Sequence, residues 1–236
     1  MIKAILFDLD GTLLPMDQDK FANTYFSGLA KKALPYGYES DKLIKTIWEG
    51  TYAMVKNNSE NSNETVFWNL FADKYGVNAL KDKVIFDEFY ENEFKSVKRV
   101  CGYNEKAKEC VDTAKKSGFR VVLATNPIFP ETATEERISW TGLNSCDFEL
   151  YTTYENSCRC KPNPEYYKEI LDKINLQASE CLMVGNDVDE DMIAETLGIK
   201  VFLLTDCLIN KHNKDISVYD NGNFDDLIKF ISELNK

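Results

Sequence analysis

Short apolar runs typical of buried strands recur along the chain and alternate with stretches of helical periodicity. This alternation predicts an α/β fold, a doubly wound, Rossmann-like parallel sheet with helices on both faces. The predicted strands are Ile2–Phe7, Phe119–Thr125, Phe148–Thr153, Cys181–Gly185 and Lys200–Thr205. The helices predicted around them are Glu105–Lys116, Pro130–Trp140, Pro164–Ile174, Glu190–Leu197 and Phe224–Leu234.

One interval is much longer than the connection between two parallel strands requires. More than a hundred residues separate the first two predicted strands, whereas a crossover needs only about a dozen. We therefore expect an all-α cap domain at residues 17–98, inserted into an α/β core domain of residues 1–16 and 99–236. Hinges are expected near Pro15 and Gly102. The helices predicted in the insertion are Lys20–Leu34, Asp41–Lys56, Glu64–Tyr75 and Asp82–Val97.

Composition restricts the possible partners. The net charge of −11 argues against binding to nucleic acid, whose phosphates attract basic surfaces. No apolar run approaches the ~18 residues of a membrane span, so no membrane partner is predicted. The seven cysteines include only one close pair, Cys158 and Cys160, and the chain has a single histidine. These counts favour a reduced, cytoplasmic protein over a disulfide framework or a zinc site. The sequence does not indicate an oligomeric state.

Polar side chains suited to phosphoryl transfer follow four of the five predicted strands. The carboxyl ends of parallel strands meet at one edge of a sheet, where ligands bind. These side chains are therefore predicted to share one site. In chain order they are Asp8 and Asp10, Thr125 and Asn126, Lys161, and Asp187 and Asp191.

Asp8 and Asp10 point to a cation. Side chains alternate along an extended chain, so the two carboxylates can share a side with Leu9 turned away. Clustered carboxylates raise each other's pKa unless positive charge is near, and no lysine or arginine follows them locally. Mg²⁺ is a natural partner, since it binds one or two carboxylates and keeps waters and substrate phosphate as its other ligands.

The motifs resemble those of the haloacid dehalogenase-like hydrolase superfamily. "DLDGT", "ATN", the lysine of "KPNPEYY" and "GNDVDED" match its four motifs in order, and the helical insertion resembles a cap placed between the first two. The resemblance implies a phosphatase. The cap implies a small phosphorylated substrate, because a lid over the site excludes large ones.

The resemblance also implies a role for each matched residue. Asp8 matches the nucleophile that becomes an aspartyl phosphate, and Asp10 matches the general acid–base. Thr125 and Lys161 match the groups that bind the transferring phosphoryl group and neutralise its charge. The phosphate-binding set implied in this way is Asp8, Gly11, Thr125, Asn126 and Lys161.

The metal set implied by the resemblance is Asp8, Asp10, Asp187 and Asp191, with Mg²⁺ as cofactor. The main contact of Asp10 is its backbone carbonyl, and Asp191 supports the metal through its waters. The fourth motif is commonly Gly-Asp, but Asn186 intervenes here. Either Asp187 or Asn186 therefore occupies the ligand position. A carboxylate suits Mg²⁺ better than an amide, which favours Asp187.

These observations predict a Mg²⁺-dependent phosphomonoesterase acting on a small phosphorylated metabolite. The presence of Asp10 and an acidic fourth motif disfavours a dehalogenase. A sugar-phosphate mutase keeps all four motifs and is the closest alternative, and a non-enzymatic paralogue is less favoured because none of the matched groups is missing. The sequence does not indicate the substrate.

Overall fold

Six parallel strands form a single sheet in the computed structural model, which describes residues 1–234. The strand order is β3-β2-β1-β4-β5-β6, which confirms the predicted doubly wound fold. This order reverses between β1 and β4, and in such sheets the ligand crevice lies at that point, outside the carboxyl ends of the strands. The strands are β1 Ala4–Phe7, β2 Arg120–Leu123, β3 Leu150–Tyr151, β4 Cys181–Gly185, β5 Lys200–Leu204 and β6 Asp220–Gly222.

The sixth strand is absent from the sequence prediction. Its residues, Asp-Asn-Gly, carry no apolar pattern, and it forms only because β5 offers a free edge, with Phe202 opposite Asp220. The other strands occur where they were predicted. Four of them are shorter at one or both ends, and β4 has the predicted bounds.

The two faces of the sheet bury different sets of side chains. Along β1, Ile5 and Phe7 join one hydrophobic cluster, and Ala4 and Leu6 join the other. This is the two-residue alternation expected of a strand buried on both faces. Helices cover both sides: α5 Glu105–Lys116, α6 Glu131–Trp140 and α8 Phe224–Glu233 on the first, and α7 Pro164–Ile174 on the second.

One predicted core helix takes a different form. The segment predicted as the α-helix Glu190–Leu197 is a 3₁₀-helix, Met192–Leu197. Asp191 precedes it with its side chain bonded back to the Asp187 N–H, and Gly198 ends it in the left-handed conformation at φ 85°. The helical segment is therefore confined to the six residues between these two points.

The insertion after β1 is helical throughout its regular structure within the part of the chain that the structure describes. Its fourth predicted helix, Asp82–Val97, is in fact two elements. The α-helix breaks at Asn92, whose backbone (φ −120°, ψ −76°) is not helical, and the chain continues as the 3₁₀-helix Glu93–Val100. The four α-helices are α1 Gln18–Ala33, α2 Ser40–Val55, α3 Asn63–Tyr75 and α4 Lys83–Glu91.

Aromatic side chains fill the insertion and connect it to the sheet. Phe94 stacks on Trp140 of α6 at 5.4 Å between ring centroids, and Tyr25 meets Phe129 edge-on at 5.4 Å. The core of the insertion is therefore continuous with one face of the sheet.

The two chain crossings between sheet and insertion lie side by side. The N–H of Gly102 donates to the carbonyl of Pro15 at 2.7 Å, and Met16 pairs with Cys101 in an antiparallel bridge. The predicted hinge positions are thus adjacent in space.

Within residues 1–234, no helix combines the length and the apolar composition that crossing a bilayer demands.

Candidate active site

The carboxyl ends of β1 and β4 open into a cavity of about 400 Å³. Asp8 follows β1 directly, and Asp187 follows β4 after one intervening residue. The structure therefore brings together side chains that lie far apart in the sequence. The predicted site residues that line this cavity are Asp8, Asp10, Thr125, Asn126, Asp187 and Asp191.

Lys161 joins two of these carboxylates. Its Nζ donates to Asp8 Oδ1 at 2.8 Å and to Asp191 Oδ1 at 2.6 Å, and its side chain is 1% exposed. Burial alone lowers the pKa of Lys161, but Asp191 and Asp8 raise it well above the ordinary value, so the amine remains charged. A buried cation is tolerated here because it is paired twice.

The second oxygen of Asp8 is also oriented. The Thr12 hydroxyl lies 2.9 Å from Asp8 Oδ2 and 2.9 Å from Asn186 Oδ1. A hydroxyl has one proton, so Thr12 donates to one of these acceptors at a time. The carboxylate of Asp8 is thus held from both sides at the end of β1.

Asp10 pairs with a residue that the sequence analysis missed. Arg137 on α6 is fully buried, and its Nη1 forms an ion pair with Asp10 Oδ2. Arg137 is itself held by the Ala133 carbonyl at 3.2 Å and lies over the Phe129 ring, 4.5 Å from its centroid. One signal was available in the sequence: Arg137 falls at helical spacing from Ala133, on the buried face of α6.

This pairing leaves one oxygen of Asp10 free. Oδ1 is buried and has no hydrogen-bond partner among the described residues. Burial raises the pKa of Asp10, and the Arg137 guanidinium opposes that rise. A carboxyl group fixed through one oxygen, with the other unpaired in the cavity wall, has the geometry of a proton donor and acceptor.

Thr125 also presents an unpaired group. Its backbone carbonyl accepts hydrogen bonds from the Thr152 hydroxyl at 2.6 Å and the Tyr166 hydroxyl at 2.8 Å. Its own hydroxyl is buried without a partner among residues 1–234. The structure thus fixes the position of Thr125 and leaves its hydroxyl available to a ligand.

Asn126 leads to a second residue that the sequence analysis missed. Its Nδ2 donates to Glu190 Oε2 at 3.1 Å, while its Oδ1 has no partner among the described residues. Glu190 lines the cavity, and burial raises the pKa of its carboxyl group. Glu190 lies within "GNDVDED", where several acidic residues offered no means of choosing among them.

In the fourth motif, both ends of the Asn186 side-chain amide have hydrogen-bond partners within the protein. Its Nδ2 donates to the Cys207 carbonyl at 2.7 Å, and its Oδ1 faces the Thr12 hydroxyl. The amide also packs against Gly11, where an added Cβ would lie 2.4 Å from Asn186 Nδ2. Gly11 has φ +90°, so this position favours glycine on both counts.

Asp187 has a free oxygen. Its Oδ1 accepts from the N–H groups of Asp189 at 2.7 Å and Glu190 at 3.0 Å. Its Oδ2 has no hydrogen-bond partner among the described residues, and the side chain lines the cavity. Asp191 differs, since Lys161 and the Asp187 N–H occupy its two oxygens.

These contacts determine how a metal ion fits. Among residues 1–234, no three Asp, Glu, His or Cys side chains converge as a ready-made metal cluster. The cations that balance Asp10 and Asp191 come from Arg137 and Lys161. Asp8 shares Lys161 with Asp191, and Asp187 forms no ion pair among the described residues. These two carboxylates, Asp8 and Asp187, each 7% exposed in the cavity wall, are therefore the ones whose charge is not fully balanced. Two carboxylates and room for water suit Mg²⁺, which keeps most of its hydration.

The sequence profile of the haloacid dehalogenase-like hydrolases matches residues 2–194. The chain belongs to this family. The family assignment confirms the resemblance seen in the sequence, and the protein is therefore a hydrolase.

Two curated proteins are similar to this hydrolase over most of its length. A phosphoglycolate phosphatase of Vibrio parahaemolyticus is 26% identical over 86% of this chain and 84% of its own. The pyrophosphatase PpaX of Bacillus velezensis is 24% identical over 84% of this chain and 81% of its own. Among solved structures, a predicted phosphoglycolate phosphatase from Haemophilus somnus superposes with a TM-score of 0.58 at 20% identity, covering 97% of both chains.

Replacing Arg137 with Met in this hydrolase is expected to lower the free energy of unfolding by roughly 3 kcal/mol. Breaking a buried ion pair costs about 3–5 kcal/mol, and the Asp10 side chain is still 25% exposed, which places the effect at the low end. Urea denaturation measures it. The double variant with Asp10→Asn is expected to recover part of the loss, because no carboxylate is left unpaired. If the double variant loses the sum of the two single-variant losses in unfolding free energy, the effect of Arg137→Met comes from lost packing on Phe129 and not from charge.

Proposed function

We propose that this hydrolase is a Mg²⁺-dependent phosphatase that acts on a small phosphorylated metabolite through an aspartyl-phosphate intermediate. The observation that carries the proposal is the surroundings of Asp8: a buried, charged lysine touches this carboxylate, and a buried unpaired threonine hydroxyl shares its cavity. Phosphoryl transfer depends mainly on such positioning and charge stabilisation. Two relatives are named as phosphatases acting on phosphoglycolate and pyrophosphate, which supports the reaction class.

In the first step, a carboxylate oxygen of Asp8 forms a bond to phosphorus as the bond from phosphorus to the ester oxygen breaks. The leaving oxygen takes a proton from Asp10, whose Oδ1 is free for this exchange. In the second step, a water gives its proton to the Asp10 carboxylate and its oxygen attacks phosphorus. Inorganic phosphate leaves and Asp8 is regenerated.

The phosphoryl oxygens carry negative charge throughout both steps. Lys161 supplies a fixed positive charge beside Asp8, and the hydroxyl of Thr125 supplies a donor. The predicted phosphate contact of Gly11 is not supported by its N–H, which donates to the Leu14 carbonyl at 2.8 Å. Asp8 and Asp187 are the side chains that would hold Mg²⁺, which supplies further positive charge to the phosphoryl group when bound. Asp191 acts indirectly, since its oxygens hold Lys161 and the backbone of Asp187.

We assign residues 17–98 to a cap over this site, joined to the core near Pro15 and Gly102. Support comes from the cavity wall, which combines side chains of the strand ends with side chains of α1 to α4. A cap that covers the aspartyl phosphate limits the entry of water to the single molecule that the second step needs.

The proposal and the alignment of the fourth motif are tested together by phosphate release from acetyl phosphate at increasing Mg²⁺ concentration. The wild type is expected to release phosphate with Mg²⁺ and none with EDTA. Asp187→Ala is expected to raise the Mg²⁺ needed for half activation by about tenfold or more, because it removes a carboxylate with a free oxygen. Asn186→Ala is expected to change it little, since both ends of that amide bind protein groups.

Two results would contradict this. If the Mg²⁺ needed for half activation rises more for Asn186→Ala than for Asp187→Ala, the metal ligand is Asn186 and the alignment of the motif is wrong by one residue. Absence of phosphate release from the wild type at any Mg²⁺ concentration overturns the proposed function.

A further inference from the structure

The cavity has two chemically different ends. The carboxylates and Thr125 lie at the strand ends, and the opposite wall consists of side chains from the insertion. Among the described residues that form this second wall, none is charged. We call the part of the cavity that this wall encloses the apolar chamber. Its members are Gln18, Phe21, Ala22, Tyr25, Phe26, Leu29, Ile47, Trp48, Thr51, Val55, Phe67, Trp68, Phe86 and Tyr90.

The polar atoms of the buried aromatic side chains in this chamber are already paired. The hydroxyls of Tyr25 and Tyr90 hydrogen-bond each other at 2.7 Å, and Trp68 Nε1 donates to the Tyr154 hydroxyl at 3.4 Å. The described part of the cavity wall contains one cation, Lys211, which belongs to the loop after β5 and not to the chamber. Lys161 is bound to Asp8 and Asp191.

This composition disfavours polar leaving groups. Phosphoglycolate and pyrophosphate each carry a second anionic group beyond the phosphoryl group that is transferred. In the chamber that anion would lose its hydration without meeting a cation, which is costly. A sugar would bring several hydroxyls to a wall with few free partners, and each unpaired one is also unfavourable.

The chamber suits an apolar ring. Phe26 and Trp48 lie 5.2 Å apart between ring centroids at an interplanar angle of 44°. Trp48 is 54% exposed although it lines the cavity, so it stands where the chamber meets solvent. A volume of about 400 Å³ lies within the usual ~300–1,000 Å³ of small-molecule pockets and exceeds what a phosphate alone fills.

We propose that the substrate is the phosphate monoester of an apolar, ring-bearing alcohol, with its ring in the apolar chamber and its phosphate at Asp8. This inference rests on the proposed phosphatase function and identifies the class of its substrate. The same chemistry makes the alcohol product a small, uncharged apolar molecule.

The first test compares kcat/KM for phenethyl phosphate, phosphoglycolate, pyrophosphate and a glucose phosphate, with acetyl phosphate as the unselective reference. Phenethyl phosphate is expected to exceed the other three by about 100-fold. If acetyl phosphate is hydrolysed and phosphoglycolate or the sugar phosphate matches phenethyl phosphate, the substrate class is wrong and the phosphatase function stands.

If no ester is hydrolysed, the phosphatase function fails, and binding tests the chamber separately. Calorimetry in EDTA, where no turnover is expected, compares phenethyl phosphate with methyl phosphate. Burial of the ring predicts tighter binding and a more negative heat-capacity change for phenethyl phosphate. Equal affinities and heat capacities for the two esters overturn the proposed chamber.

The second test uses two positions on the exposed side of α2. Trp48→Ala is expected to raise KM for phenethyl phosphate by about tenfold, because it removes a ring at the chamber entrance. KM for acetyl phosphate is expected to rise much less, because that substrate carries no ring. Tyr52→Ala is the matched control: it lies one turn further along α2, is 64% exposed and does not line the cavity. Equal effects of the two substitutions, or an equal loss with acetyl phosphate, would contradict the assignment of Trp48.

Discussion

Replacement of Asp8 with Asn is expected to reduce phosphate release by at least about 10⁴-fold while leaving the fold intact. An amide cannot attack phosphorus, so the covalent intermediate cannot form. The fold is expected to survive because Asn has the same shape, Lys161 keeps its ion pair with Asp191, and Thr12 keeps an acceptor. Phosphate release from acetyl phosphate with Mg²⁺ measures the first effect, and thermal unfolding measures the second.

The matched control for this variant is Asp17→Asn. Asp17 is exposed and caps α1 through a hydrogen bond from the Lys20 N–H, a role that Asn also fills. This variant is therefore expected to keep wild-type activity. An Asp8→Asn enzyme that turns over acetyl phosphate at close to the wild-type rate would show that Asp8 is not the nucleophile.

Asp10→Asn is expected to lower steady-state turnover by about 10²–10⁴-fold, the usual contribution of general acid–base catalysis. The loss is expected to depend on the leaving group. Nitrophenolate leaves without a proton, so the first step survives with p-nitrophenyl phosphate, and the second step, which needs Asp10 to activate water, limits turnover. Rapid mixing is then expected to show a burst of one nitrophenolate per active site, followed by slow release.

Phenethyl phosphate provides the contrast for this variant. Its alkoxide needs a proton to leave, so the first step itself is slowed and no burst is expected. Identical losses with the two esters, together with no burst from p-nitrophenyl phosphate, would contradict a role for Asp10 at the leaving oxygen.

The sheet and the strand-end residues were predictable because their signals are local. A buried strand such as Cys181–Gly185 shows itself as a short apolar run, and the polar residue that follows it must lie at the edge of the sheet. Asp8, Thr125 and Asp187 reach one cavity for this reason alone. The strand Asp220–Gly222 was missed because it depends on pairing with β5 and not on its own side chains.

Long-range pairing explains what the sequence analysis missed in the site. Arg137 and Asp10 are 127 positions apart, and no local pattern connects them. The sequence therefore left a divalent cation as the only visible partner for Asp10, whereas the structure supplies a guanidinium.

The aromatic residues of the insertion show a similar limit. Phe67, Trp68 and Phe71 recur at helical spacing on α3, yet Phe67 and Trp68 line the cavity and Phe71 is buried in the core with 0% exposure. Periodicity indicates that a side chain is turned inward. It does not distinguish a packed interior from the wall of a chamber.

The adjacent crossings at Pro15 and Gly102 also bear on how this protein can evolve. Because the insertion leaves and re-enters the sheet at hydrogen-bonded neighbours, a foreign segment needs only two closely spaced ends to be grafted there, which adds little closure entropy. Such a graft must present an apolar face to Phe129 and Trp140. Under the proposed function, recombination at these two points would exchange the whole apolar chamber, and with it the selectivity for the alcohol, without changing the residues around Asp8.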